Sequence, residues 1–362
     1  MNHTNTLMNI SKQNTEKILD EIKKLAKSIG RETRLMGLCG THSQTIAQYG
    51  LKSLLPPNIK LVAGPGCPVC VTARKDIDAV IGLALAGIPL AVYGDTLAVP
   101  GSKESLENAK QKGADIKIIY SIKEALEEQK TKPELVFFGV GFETTAPMTA
   151  WAIKQRLRVY STHKFFPPAM TALLKNKEIK IDGLIDPGHV SAIVGESPYK
   201  KFEIPQVITG FEPEDVLTAV LMLLNQIAEG RRDLENEYGR VVKKNGNEKA
   251  INLINEVFEP CDAEWRGIGL IKNSGMKIRK KYSACDAKIK YKNIIEKTKQ
   301  QNPPKSTCLP DRQACRCGEI LQGLIEPNQC PLFKKICAPE NPFGACMVSI
   351  EGTCNIEYKY AR

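Results

Sequence analysis

Eight short apolar runs, rich in β-branched residues, recur through the first 230 residues, and helix-length segments separate them. This alternation restricts the architecture more than any other feature of the chain. Strands that alternate with helices pair in parallel and carry the helices on the faces of the sheet. The runs predict strands at 34–38, 60–63, 89–93, 116–120, 135–139, 157–161, 182–186 and 206–209. They predict helices at 11–29, 43–54, 74–86, 103–112, 121–129, 147–155, 168–175 and 213–229.

One eight-stranded sheet would overfill a domain of ordinary size, so two smaller sheets are expected. The middle four strands are contiguous in sequence, and the first two and last two pair around them. The fold class that follows is α/β: two Rossmann-like domains with small parallel sheets facing a central cleft, plus a C-terminal cysteine-rich region. The expected limits are 1–72 with 164–300 for the first domain, 73–163 for the second and 301–362 for the tail, entered through "NPPK" at 302–305.

In open α/β sheets ligands bind beyond the carboxyl ends of the strands. The segments that follow the predicted strands are "CGTHS" (39–43), "GPGCPVC" (64–70), "GDTLAVPG" (94–101), "GVGFETTAP" (139–147), "THKFFPP" (162–168), "PGHVS" (187–191) and "GFEPED" (210–215). Three of the four histidines, His42, His163 and His189, fall in these loops, with Cys39, Cys67, Cys70, Asp95 and Glu143. That coincidence predicts one shared polar cleft. "GVGFET" departs from the dinucleotide pattern G-x-G-x-x-G at Thr144, and no phosphate-binding G-x-x-x-x-G-K-[ST] occurs. Thr144 or Thr145 ahead of Pro147 reads as a helix N-cap, which leaves Glu143 unexplained.

Cys67 and Cys70 stand between a strand and a helix start, where the helix dipole favours a thiolate. Two readings fit: a redox dithiol, or half of a zinc site completed by, for example, Cys39 and His42. The Pro68-Val69 spacer and the lack of a second CxxC favour the redox pair.

The chain has twelve cysteines, and seven of them lie between Cys308 and Cys354. The N-terminus shows no apolar signal region, and no stretch approaches the ~20 apolar residues of a membrane helix. A soluble cytoplasmic protein is expected, and there structural disulfides are rare. The cysteine-dense tail therefore reads as thiolate metal ligation. Its irregular spacing suits a four-cysteine iron–sulfur cluster better than a zinc ribbon, and the CxxxCxxC triplet of radical enzymes is absent. The formal net charge is +11, and Arg266 to Lys305 holds twelve Lys or Arg against Asp286 and Glu296. Without interleaved aromatics or a nucleic-acid motif, this stretch reads as a solvated Lys-rich helix face.

Taken in order, "CGTH", "GPGCPVC", "GDTLAVPG", "GFETTAP", "PGHVS" and the cysteine tail resemble the [NiFe]-hydrogenase maturation family HypD, from about residue 30 to the C-terminus. The resemblance implies an assembly scaffold rather than a conventional enzyme. Paired with the small chaperone HypC, such proteins hold an iron that carries two cyanides and one carbon monoxide. HypE supplies the cyanide, made with HypF, and the finished group passes to the hydrogenase large subunit. The family's cluster pattern C-x14-C-x6-C-x16-C falls on Cys315, Cys330, Cys337 and Cys354, implying a [4Fe–4S] cluster, and Cys39 matches the ligand of the additional iron. Cys317 and Cys346 are left as a second thiol pair, while Cys261, Cys285 and Cys308 have no assigned role.

A soft thiolate suits low-spin iron carrying cyanide and carbon monoxide. His42 is placed to hydrogen-bond a cyanide or donate a proton, and Asp95, Glu143 and His189 form a polar wall. Cys67 and Cys70 would relay electrons from the cluster. Two other readings remain: a [4Fe–4S]-dependent thiol-disulfide reductase similar to ferredoxin–thioredoxin reductase, and a basic iron–sulfur protein that binds nucleic acid. No nucleic acid or membrane partner is expected.

Overall fold

A computed structural model of the chain describes residues 2–301 and 314–360, with side chains from residue 14 onward. The eight predicted strands are all present, within one residue of the expected bounds: β1 Thr33–Gly37, β2 Ile59–Ala63, β3 Leu90–Tyr93, β4 Ile116–Ile119, β5 Val136–Gly139, β6 Arg158–Ser161, β7 Gly183–Pro187 and β8 Gln206–Thr209. Three more follow: β9 Leu234–Asn236, β10 Phe258–Trp265 and β11 Gly269–Ile278.

The strands form two parallel sheets, ordered β2-β1-β7-β8-β9 and β4-β3-β5-β6, with β10 and β11 as a separate antiparallel hairpin. Strands such as β5 (VFFG) and β8 (QVIT) are buried along their whole length. That is the expected composition of parallel strands covered on both faces. The helix Asn2–Ile29 packs on Pro213–Glu229, and together they cover one face of the larger sheet through Ile22, Leu35, Val216, Val220 and Leu223. Each such fully buried aliphatic side chain contributes about 1.5–3 kcal/mol. The helix Pro213–Glu229 is started by Pro213 and by a capping box between Glu212 and Asp215, a pairing that satisfies otherwise orphaned backbone N–H groups.

Three expectations change. The helix expected at 43–54 is two helices, Gly40–Gln48 and Leu51–Leu54, interrupted at Tyr49–Gly50. The Lys-rich segment is not one helix face, because β11 occupies 269–278, a 3-10 stretch covers Lys280–Cys285 and α-helix begins only at Ala287. Thr145 is the N-cap of Ala146–Lys154 but makes no side-chain capping bond.

The tail folds back on the larger sheet's loops. Its last helix, Thr353–Tyr360, packs on Gly40–Gln48, and the single turn Ala345–Val348 packs on Pro68–Val71. The segment "NPPK" and Cys308 lie outside the described residues.

Candidate functional site

The strand order reverses between β1 and β7 in one sheet and between β3 and β5 in the other. At such a point the connections depart to opposite faces and open a crevice at the carboxyl ends of the strands. Both crevices open on one cavity of about 220 Å3. Cys39 enters it after β1, His189 after β7, Asp95 after β3, and Phe142 and Thr145 after β5. Pro68 and Val69 of the CPVC loop and Glu351 of the tail complete the wall.

Close backbone approach assembles these parts. A side chain at Gly66 would place its Cβ 2.4 Å from Cys39 Cα and 2.6 Å from Cys39 N, so only glycine lets the CPVC loop lie against Cys39. At Gly40 a Cβ would fall 2.5 Å from Glu351 Cβ, which lets the tail reach the same place.

Cys39 is the N-cap of Gly40–Gln48 and has an extended backbone. It is 4% exposed, and its Sγ lies 3.1 Å from His189 Nε2. Burial, and then the charge of Glu351, push the thiol up to about 11. Burial lowers the pKa of His189. At neutral pH this is a neutral thiol–imidazole pair, with a base beside the sulfur. Metal binding needs the thiolate and releases its proton.

His42 does not line the cavity. It is fully buried, and its Nε2 donates to Gly210 O at 2.9 Å, since a carbonyl can only accept. Burial lowers its pKa to about 4, so it is no proton donor at neutral pH. It reaches the site through Phe211, whose ring stacks on both His42 (centroids 5.0 Å) and His189 (4.1 Å).

Glu143 is also turned away from the cavity. Its Oε1 accepts from Phe166 N at 2.9 Å, and burial pushes its carboxyl up to about 7. Asp95 stands at the rim, with its pKa raised by desolvation. Glu351 is pushed up to about 7 by burial and by the charge of Asp95. The expected three-histidine cleft is therefore not formed. His189 lines it, His42 supports it from behind, and His163 belongs to a different cavity.

Cys67 and Cys70 are joined in a disulfide. Cys67 caps the turn Pro68–Val71, its sulfur accepting from Cys70 N at 3.1 Å. This turn has only four residues, and the long helix begins at Arg74. The dipole at Cys67 is accordingly weaker than the sequence suggested. The zinc half-site does not fit this arrangement, because the disulfide leaves no thiolate there and His42 does not line the cavity with Cys39.

In the tail, Cys330, Cys337 and Cys354 are buried and Cys315 is half-buried. Burial and the neighbouring Cys317, Cys330 and Cys337 push the Cys315 thiol up to about 12. Cys317 and Cys346 are side-chain neighbours, and each thiol is held well above its ordinary pKa. Cys354 N donates to Cys346 Sγ at 3.3 Å, and Cys70 Sγ lies 3.9 Å from Ala345 O. Among the described residues no three His, Cys, Asp or Glu side chains are grouped to hold a single metal ion. The sequence reading missed Glu351 and Phe211. Glu351 carried no signal, because only packing against Gly40 brings it to the site, whereas Phe211 lies in a strand-end loop already singled out.

The fold and the cleft define an α/β protein that gathers a thiol, an imidazole and carboxyl groups at paired switch points, with the disulfide buried behind the wall and a thiol-rich tail packed against it. The family model described as "HypD: Hydrogenase formation hypA family" matches residues 13–361. Hydrogenase maturation factor HypD1 of Bradyrhizobium diazoefficiens is 43% identical over 354 residues, 92% of this chain and 90% of that protein. Hydrogenase maturation factor HypD of Rhodobacter capsulatus is 42% identical over 364 residues (95% and 94%), and that of Cupriavidus necator is 41% identical over 359 (92% and 91%). The chain belongs to the HypD family of hydrogenase maturation factors. None of the described helices is long and apolar enough to cross a membrane.

Proposed function

We propose that this chain is the scaffold on which, with a small chaperone of the HypC kind, the Fe(CN)2CO group of [NiFe]-hydrogenase is assembled in the cytoplasm. The observation that carries this reading is the Cys39–His189 pair, 3.1 Å apart in the cavity between the two sheets. Cys39 supplies the thiolate for the incoming iron, a soft donor suited to a low-spin centre with strong-field ligands. His189 accepts the thiol proton as iron arrives. Asp95 and Glu351 give the wall its polar groups, while His42, through Phe211, and Glu143, through Phe166, hold it in shape. Cyanide comes from HypE, with HypF upstream, and the finished group leaves for the hydrogenase large subunit.

The disulfide is the redox element. Opening Cys67–Cys70 takes two electrons and two protons and yields two thiols. In this reading Cys315, Cys330, Cys337 and Cys354 hold a [4Fe–4S] cluster, a resident group that supplies single electrons when bound. The fit of these residues rests on four thiols that lie in each other's neighbourhood, and on burial, which raises the pKa of Cys315, Cys337 and Cys354 so that a cation is needed to hold them as thiolates. Cys346 stands on the turn that packs against the one carrying Cys70, and it neighbours Cys317 and Cys354. The two sheets are the parallel cores of two Rossmann-like units.

Infrared spectra of the protein purified with its HypC-like partner test the reading. Bands of iron-bound cyanide and carbon monoxide are expected on the native complex and absent from Cys39→Ser, whose hydroxyl is a poor ligand for such iron. Native bands on the Cys39→Ser complex would place the iron elsewhere.

A further inference from the structure

A second cavity, of about 440 Å3, shares no residue with the cysteine cleft. It lies where the chain leaves β6 at Ser161 and the hairpin β10–β11 folds across that end. Its walls are held by backbone hydrogen bonds from Phe165 N to Ser274 O at 2.8 Å and from Met276 N to His163 O at 2.9 Å. The volume is that of a small-molecule site. Three of its lysines, Lys277, Lys288 and Lys292, come from the basic segment that the proposed scaffold role leaves unused.

Lys164 lines this cavity and is 3% exposed. Its Nζ donates once, to Glu264 O at 3.1 Å, and sits 5.7 Å from the centre of the Trp265 ring. An ammonium carries three donors, and burying one without a counter-charge costs several kcal/mol. The other lining lysines all have partners. Lys75 pairs with Glu264 at 2.7 Å and Lys288 with Asp76 at 3.7 Å, while Lys277 and Lys292 pair with Glu259 and Glu296 outside the cavity. The lining carboxylates are likewise engaged, Asp262 and Asp286 accepting from the backbone of Asn273 and Lys288. Among the described residues, Lys164 is the one lining cation with no carboxylate within 4.0 Å.

We infer that this cavity binds a small molecule through an oxyanion, a carboxylate or a phosphate, which serves as the counter-charge of Lys164. The anion takes the donors that Glu264 O leaves free, and Lys277 and Lys292 add positive charge at the lining. This gives part of the basic segment a function without nucleic acid, since three of its lysines line a cavity that also holds Lys164.

The test uses the full-length protein, with inorganic phosphate and succinate as separate probes, titrated by calorimetry and by the shift of the thermal midpoint. At least one probe should bind saturably, and Lys164→Met should weaken it by tenfold or more. Methionine keeps the length and apolar packing against Trp265. Replacing a buried ammonium that has no ion-pair partner with an apolar side chain removes a desolvation cost, and the thermal midpoint of the unliganded variant checks the fold directly. Lys277→Ala, at the rim, should weaken binding by a smaller factor. Binding of phosphate alone identifies a phosphate-bearing ligand, succinate alone a carboxylate, and both a general oxyanion site. Saturable binding that survives Lys164→Met, or no binding of either probe, overturns the inference.

Discussion

Cys39 Sγ and His189 Nε2 meet at 3.1 Å because β1 and β7 are hydrogen-bonded neighbours, and each residue stands just past the carboxyl end of its strand. The imidazole is the nearest base to a thiol that burial keeps protonated. Replacing His189 with Ala should therefore slow iron loading on Cys39 rather than abolish it. Infrared bands should grow in more slowly than on the native complex, by on the order of a hundredfold or more, the range for loss of a positioned proton acceptor. A Cys39→Ser-like complete loss in His189→Ala would instead make the histidine a ligand.

Gly66 tests the assembly of the cleft. A methyl group there meets Cys39 Cα and N, backbone atoms with no side-chain rotamer to yield. Gly66→Ala should destabilise the fold by about 1–3 kcal/mol, the usual cost of overpacking. It should also raise the accessibility of Cys39 to an alkylating reagent. Denaturant unfolding and timed mass spectrometry measure the two effects.

The tail makes a chemical prediction. Cys315→Ala, Cys330→Ala, Cys337→Ala and Cys354→Ala should each abolish the visible absorbance of anaerobically purified protein, while Cys317→Ala and Cys346→Ala retain it. About four irons per chain are expected in the native protein. Zinc in place of iron would reject the cluster.

Glu143 gives a pH dependence with a definite sign. Its folded pKa, about 7, is raised from the usual 4.5. The protonated form is the one the fold accommodates, so its contribution is full below pH 4.5 and is lost as pH rises through 7. Glu143→Gln keeps an acceptor for Phe166 N and removes the ionisation. Its stability relative to the native chain should rise between those values and level off above them, by at most roughly 3 kcal/mol. Unfolding at pH 5 and pH 8.5 reads the difference, and an equal difference at both values would remove Glu143 from the account.

The sequence by itself determined the eight parallel strands and the chemistry at their ends. Parallel strands buried on both faces must be continuous apolar runs, and the loop at each carboxyl end is short enough to read. It also placed Cys39, Cys67, Cys70, Asp95 and His189 in those loops. It did not reveal β9, three residues that become a strand only by pairing with β8. Nor did it reveal the hairpin, where Pro260 and alternating charges mask the apolar pattern of β10. The tertiary structure alone decided which way each loop residue turns. His42 and Glu143 sit at the expected strand ends, yet Gly210 O and Phe166 N draw their side chains behind the wall. Glu351 and Phe211 enter the site because distant segments pack there, and the hairpin buries Lys164 with no carboxylate in ion-pair contact. Periodicity along a chain records burial and direction within one element, whereas side-chain partners are set by contacts between elements far apart in sequence.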